Sequence, residues 1–176
     1  MPSPKAIWYA AYTRSRAEKK VAQELGYLGI EHYLPLVTTI RQWSDRKKKI
    51  QVPLIRSYIF VRITKKQFMP VFQVMGVIRI VHFDGMPVPI PDWQIENLKI
   101  IMGARVAVQS ERISLEKGQE VCITMGAMRG LRGTIIHIKG RRKLAISITA
   151  LDYNLTIDID SSLVEQWKGG NEKVKQ

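Results

Sequence analysis

The chain holds a single cysteine, Cys122, so no internal disulfide can staple it and a reducing compartment suits it. Cys122 lies in an alternating strand pattern, where a buried, inert thiol is the expected role. No stretch reaches the roughly 18 consecutive apolar residues of a membrane-spanning helix, and residues 1–12, MPSPKAIWYAAY, lack the basic, apolar and small-residue order of a signal peptide. A soluble, cytoplasmic chain without membrane contact is expected. Histidine is also scarce: His32, His82 and His137 are scattered without metal-ligand spacing and no cysteine pair exists, so neither a metal site nor a cofactor is expected. Acids number 15 against 28 bases and occur singly, except Asp158 and Asp160, which would share one strand face with no partner acid or base and read as a solvated edge. GAMRGLRG, at 126–133, has neither the lysine-hydroxyl pair of a phosphate loop nor a dinucleotide-binding spacing. Taken together, these absences argue against an enzyme.

What the chain does contain is apolar residues at 45%, enough for folded cores in one ordinary domain or two small ones, and a formal charge of +13. That charge sets up a field attractive to phosphate polymers, although solubility alone is the plainer reading. The chain divides near residue 105. Before it the pattern reads strand, helix, strand, basic loop, strand, helix, strand pair and helix; after it, short strands only. Residues 1–104 carry 16 basic and 7 acidic side chains, net +9, and residues 105–176 carry 12 and 8, net +4. The first part therefore has the stronger claim on a phosphate backbone.

Ile7 to Tyr12 is aromatic and apolar on both faces, as a central strand covered on two sides should be. Ser15 is placed to cap the next helix, whose apolar stripe is Ala17, Val21, Leu25 and Leu28, with Glu18, Lys19, Lys20 and Glu24 toward water and Gly29 as its stop. The hairpin tip at 41–49, RQWSDRKKK, is either a solvated tip or a contact with nucleic acid or protein; Trp43, able to stack or anchor, favours contact. Val52 to Arg62 reads as one strand, with Tyr58 and Phe60 between arginines on a face that a single helix could cover. Gly118 to Ile138, GQEVCITMGAMRGLRGTIIHI, is the densest signal: a strand, a loop, another strand. Gly126, Gly130 and Gly133 fall within it beside Arg129 and Arg132, where glycine permits positive φ or close backbone approach. A tight cationic loop of this kind suits docking better than chemistry.

In order and spacing, WYAAYTRSRAEKKV at 8–21, HYLPL at 32–36, PLIRSYIFVRI at 53–63 and GVIRIV at 76–81 resemble the N-terminal domain of NusG-type transcription factors, and GQEVCITMGAMRGLRGTIIHI resembles that family's KOW module. The likeness spans nearly the whole chain. It implies an α+β protein: an NGN α/β sandwich with an antiparallel sheet (1–104), a linker (105–112), a small SH3-like β-barrel or KOW domain (113–168) and a flexible tail (169–176). It also implies a monomeric transcription elongation and antitermination factor that grips the clamp helices of RNA polymerase through a hydrophobic patch. By position, Tyr12, Ile55, Tyr58, Phe60 and Ile80 match that patch, and an ordinary core role is the competing reading for each.

Contacts to non-template DNA or nascent RNA would fall on Lys65, Lys66, Gln67 and Gln73, with Arg14 and Arg16 clamping phosphates beside them. Trp43, Arg46, Lys47, Lys48 and Lys49 at the hairpin tip join this set. In the KOW part, partner contacts would fall on Arg129, Arg132, Leu151 and Tyr153. Two departures stand out: Ile55, Arg56 and Ser57 replace the Phe, Pro and Gly that family members often carry, and Leu151, Asp152 and Tyr153 replace a Phe-Gly-Arg turn used to bind ribosomal protein or Rho. The second departure favours a specialised paralogue, such as an RfaH-like antiterminator of polysaccharide operons. The alternative is a ribosome-associated or RNA-binding KOW protein without polymerase affinity.

Overall fold

β1 (Ile7–Thr13), apolar on both faces, sits inside a four-stranded antiparallel sheet in the computed structural model, which describes residues 5–42, 46–104, 106–111, 118–138, 141–159 and 164–167. Its neighbours are β5 (Tyr58–Ile63) and β6 (Val77–Ile80), and β2 (Glu31–Tyr33) lies outside β5. The pairings Ala10↔Phe60 and Tyr12↔Tyr58 put these four residues on one face with Trp8; Ala11↔Ile59 and Ala11↔Ile80 put those three on the other. The second face is covered by α1 (Glu18–Tyr27) and α2 (Phe68–Gln73), which close a core of Val21, Leu25, Ile59, Val61, Val71 and Ile80.

The first helix starts later than its sequence implies. Ala17 rather than Ser15 occupies the cap, and no side chain caps it. Starting at Glu18 turns that carboxylate inward instead of toward water: Glu18 is buried and its Oε1 accepts a 2.7 Å hydrogen bond from the backbone N–H of Ser57. At the other end Gly29, at φ +65°, stops the helix as expected, but Leu28 beside it is exposed rather than part of the buried stripe. The strand expected over 52–62 is also broken. β4 (Lys47–Pro53) ends, the backbone turns through Leu54–Ser57, and β5 begins at Tyr58.

That turn has Ser57 at φ +62°, a left-handed conformation that glycine adopts freely and a side chain does not. The Glu18 bond from one side and the bond from the Thr13 N–H to the Ser57 carbonyl from the other hold it. Ser57→Gly is accordingly expected to stabilise the chain by about 1 kcal/mol. Thermal unfolding checks this, and the melting temperature should rise by roughly 2–4 °C.

β3 (Leu36–Gln42) pairs with β4 as a separate two-stranded ribbon; Trp43 at its tip lies outside the described residues. A short hairpin of β7 (His82–Phe83) and β8 (Met86–Pro87) precedes α3 (Asp92–Ala104).

The C-terminal part is strands, as its alternation requires: β9 (Gln109–Glu111), β10 (Glu120–Ile123), β11 (Arg132–Ile138), β12 (Arg141–Ile148), β13 (Tyr153–Asp158) and β14 (Val164–Gln166). They form one antiparallel sheet in the order β14-β10-β11-β12-β13-β9. A closed SH3-like barrel is not found among the described residues. Closure needs a ladder joining the outer strands, and none links β14 to β9. Part of the expected linker is itself strand, because Gln109–Glu111 pairs with Thr156–Asn154 of β13. The tail at 169–176 lies outside the described residues.

The glycine loop takes both forms foreseen for it. Gly126 and Gly130 have φ of +78° and +88°, while a Cβ on Gly133 would come within 2.5 Å of the Ala145 carbonyl oxygen across the β11–β12 ladder. Cys122 is half-buried, with its thiol 3.6 Å from the Ile123 carbonyl, so the neighbouring edge strand β14 does not seal it.

Candidate partner-binding face

The structure divides the expected apolar patch of Tyr12, Ile55, Tyr58, Phe60 and Ile80. Tyr12 and Tyr58 are half-buried neighbours, with ring centroids 5.3 Å apart and tilted by 51°. The Arg79 guanidinium lies 5.8 Å from the Tyr12 ring centre, reached from the adjacent strand because Arg79 pairs with Tyr12. Arg56 is exposed on the turn beside them. This cluster is amphipathic: two aromatic surfaces, two hydroxyls and two guanidinium groups at one corner of the sheet.

Three of the five expected contacts are core instead. Ile55 is 1% exposed, and Phe60 and Ile80 are fully buried. Ile80 lies on the opposite face, beneath α1 and α2, because its register partner is Ala11. Ile55 and Phe60 belong to a second apolar cluster, which runs from Trp8 and Ala10 through Ile95, Leu98 and Ile101 of α3 into Val121, Leu131, Ile148 and Leu151 of the C-terminal sheet. Tyr33, opposite Phe60, borders it; burial, with the Glu96 carboxylate as a smaller cause, pushes its phenol up to about 12 and keeps it protonated at neutral pH.

α3 holds the two parts together with polar bonds as well. The Asn97 amide donates from Nδ2 to the Arg132 carbonyl at 2.8 Å and accepts at Oδ1 from the Arg132 N–H at 3.1 Å. One turn earlier, Gln94 donates from Nε2 to the Thr149 hydroxyl at 3.1 Å and accepts from the Thr149 N–H at 3.3 Å. Both amides are buried. The helical turn Thr149–Leu151 also touches β1. Sequence reasoning had assigned no role to Arg79, Gln94 or Asn97. A polar pair at i, i+3 inside the apolar run of α3 was the signal for the two amides.

The expected C-terminal contacts scatter. Arg129 is exposed. Arg132 is instead stacked within the chain, its guanidinium 3.9 Å from the centre of the Trp167 ring. Leu151 is buried in the shared cluster, so it is not displayed as a free contact, and Tyr153 packs half-buried against that cluster from the start of β13. Asp152 between them has φ +49°, so the backbone at this departure from the family pattern is again left-handed.

Of the expected nucleic-acid contacts, Arg14, Arg16, Lys65, Lys66 and Gln73 are exposed around α1 and α2, and Arg46, Lys47, Lys48 and Lys49 are exposed on the ribbon. Gln67 is occupied: its side-chain oxygen accepts from the N–H and the hydroxyl of Thr64 in a capping box. Among the described residues no three His, Cys, Asp or Glu side chains stand together as a metal site, and no helix is long and apolar enough to cross a membrane. His32 and His82 each bond a backbone carbonyl, of Ile30 and Ile80 respectively.

A family model described as transcription termination factor nusG matches residues 6–99, the whole of the first sheet with its helices up to α3. The chain belongs to the NusG family. Among solved structures, NusG from Thermotoga maritima, studied for its domain interaction, is 23% identical, covering 92% of this chain and 97% of that one, at a TM-score of 0.48. The MjSpt4:Spt5 complex in conformation A is 18% identical, covering 91% of this chain and 97% of that one, at a TM-score of 0.30. In this NusG-family chain, Tyr12 and Tyr58 lie within the matched residues and are the part of the expected patch that solvent reaches, with Arg79 beside them.

Proposed function

We propose that this NusG-family chain is a transcription elongation and antitermination factor that docks on RNA polymerase through the sheet corner formed by Tyr12, Tyr58 and Arg79. The observation that carries this reading is the position of that corner. Within a domain matched to the family, it is the aromatic, cationic surface left half-open on the sheet face that the family likeness assigns to the polymerase. Half-buried tyrosines beside arginine are the residue types that dominate interface energies, because they add contact area with little loss of rotamer freedom. The Thr149–Leu151 turn touches β1, so a coiled coil spreading across the full width of the face displaces it.

Service to particular operons, such as polysaccharide loci, is favoured by Leu151, Asp152 and Tyr153 standing where general family members carry their ribosome- and Rho-binding turn. Leu151 is buried here rather than offered to a partner.

Capture of RNA polymerase by the tagged full chain tests the proposal. Tyr12→Ala/Tyr58→Ala is expected to weaken capture about tenfold, or ~1.4 kcal/mol, while the variant still folds. Undiminished capture by a folded double variant would remove the sheet corner as the docking site, and failure of the wild-type chain to capture polymerase at all would leave a ribosome-associated or RNA-binding protein as the better account.

A further inference from the structure

The ribbon of β3 and β4 is bonded to no third strand among the described residues, and it bears a dense run of positive charge. Pairing extends over seven positions from Leu36↔Pro53 to Gln42↔Lys47, about 20 Å at the usual rise per residue. Residues directly opposite share a face. One face presents Thr38, Ile40 and Gln42 with Gln51, Lys49 and Lys47; the other presents Thr39 and Arg41 with Ile50 and Lys48. Residues 38–42 and 46–49 are all exposed, and none of their cations forms an ion pair with a described carboxylate. Arg41 directly opposite Lys48 is a like-charge pair, which disfavours the free ribbon. An external polyanion would relieve that repulsion.

We propose that this ribbon is an arm that enters the major groove of duplex DNA. Cations on both faces decide between a groove and a flat surface. A ribbon lying on a surface needs positive charge on one side only, whereas a ribbon between two phosphate walls meets negative charge on both. The major groove of B-form DNA, about 12 Å wide, admits a two-stranded ribbon. The deep, narrow major groove of duplex RNA does not. Between the lysines, Thr38, Gln42 and Gln51 supply groups that bond base edges and Ile40 an apolar contact for a thymine methyl, while Arg41, Lys47, Lys48 and Lys49 meet phosphate.

The test is fluorescence anisotropy with the full chain, in the absence of polymerase, on a labelled 20-base-pair DNA duplex, the RNA duplex of the same sequence and the single DNA strand. The expected order places duplex DNA first. Lys47→Gln/Lys48→Gln/Lys49→Gln is expected to make the slope of log affinity against log salt shallower by about 2.7, so that wild type loses about forty-fold more affinity than the variant between roughly 50 and 200 mM salt. These side chains are exposed, so the variant should melt with wild type. An unchanged slope, or binding of the RNA duplex or the single strand as tight as that of duplex DNA, overturns the proposal. Tyr12→Ala/Tyr58→Ala should keep full DNA binding, so failure here and failure of the polymerase reading are told apart.

Discussion

Phe60→Ala is expected to destabilise the chain by about 3–5 kcal/mol, the range for an aromatic ring deleted from a packed core, and to lower the melting temperature by roughly 6–20 °C. The ring is fully buried in the cluster that joins the sheet face, α3 and the C-terminal sheet, so its loss opens a cavity between three elements rather than at one edge. Tyr58, two residues away on the same face, is half-buried, and Tyr58→Ala should cost no more than about 1–2 kcal/mol. The pair thus separates packing from docking. If the proposed docking corner holds, Tyr58→Ala should weaken polymerase capture while staying folded, whereas Phe60→Ala should weaken it only as the folded fraction falls. Thermal unfolding alongside capture reads both, and a Phe60→Ala protein that melts with wild type would mean that this ring is not a core side chain.

Phe60 also marks how far the sequence could be read. Alternation along 58–63 shows that Tyr58, Phe60 and Arg62 share a face, and the structure agrees. Alternation does not say how much of that face is covered. Burial of Phe60 and Ile55 depends on α3 and on a C-terminal sheet distant in sequence. Ile80 fails for another reason: its face is fixed by its register against β1, and one residue of slip would reverse it.

The glycine loop was legible because positive φ and close approach are local properties of a residue without a side chain. Ser57 was not. Its left-handed backbone is held by bonds to Glu18, in a helix 39 residues earlier, and to the Thr13 N–H, and nothing in the letters IRS announces it. Gln94 and Asn97 are a polar pair within an apolar run, but their partners are visible only once the strand and turn that they bond are in place.

Gln94→Ala/Asn97→Ala is expected to uncouple the two parts of the chain. Each amide is itself buried and serves a backbone N–H and one acceptor; truncation of Asn97 leaves the N–H and carbonyl of half-buried Arg132 without these partners, while truncation of Gln94 frees groups of Thr149, an exposed residue that water can reach. A buried polar group stranded in this way costs about 1–3 kcal/mol. The two sites lie one helical turn apart and share α3, so their losses are coupled rather than strictly additive, and a combined loss of about 2–6 kcal/mol is expected, most of it from the two groups of Arg132. The apolar cluster survives the change, but apolar contact has no direction, and the amides are what fix the register of α3 against the start of β11. Calorimetry should therefore turn a single cooperative transition into two, with the C-terminal sheet melting first.

Asn97→Asp separates the bond from the shape. It keeps the size and can still accept from the Arg132 N–H, but it sets a carboxylate oxygen against the Arg132 carbonyl where a donor stood. It should destabilise at least as much as Asn97→Ala and recover partly at low pH, where a protonated carboxyl donates again. One transition at the wild-type temperature in the double variant would show that the apolar cluster alone holds the two parts together.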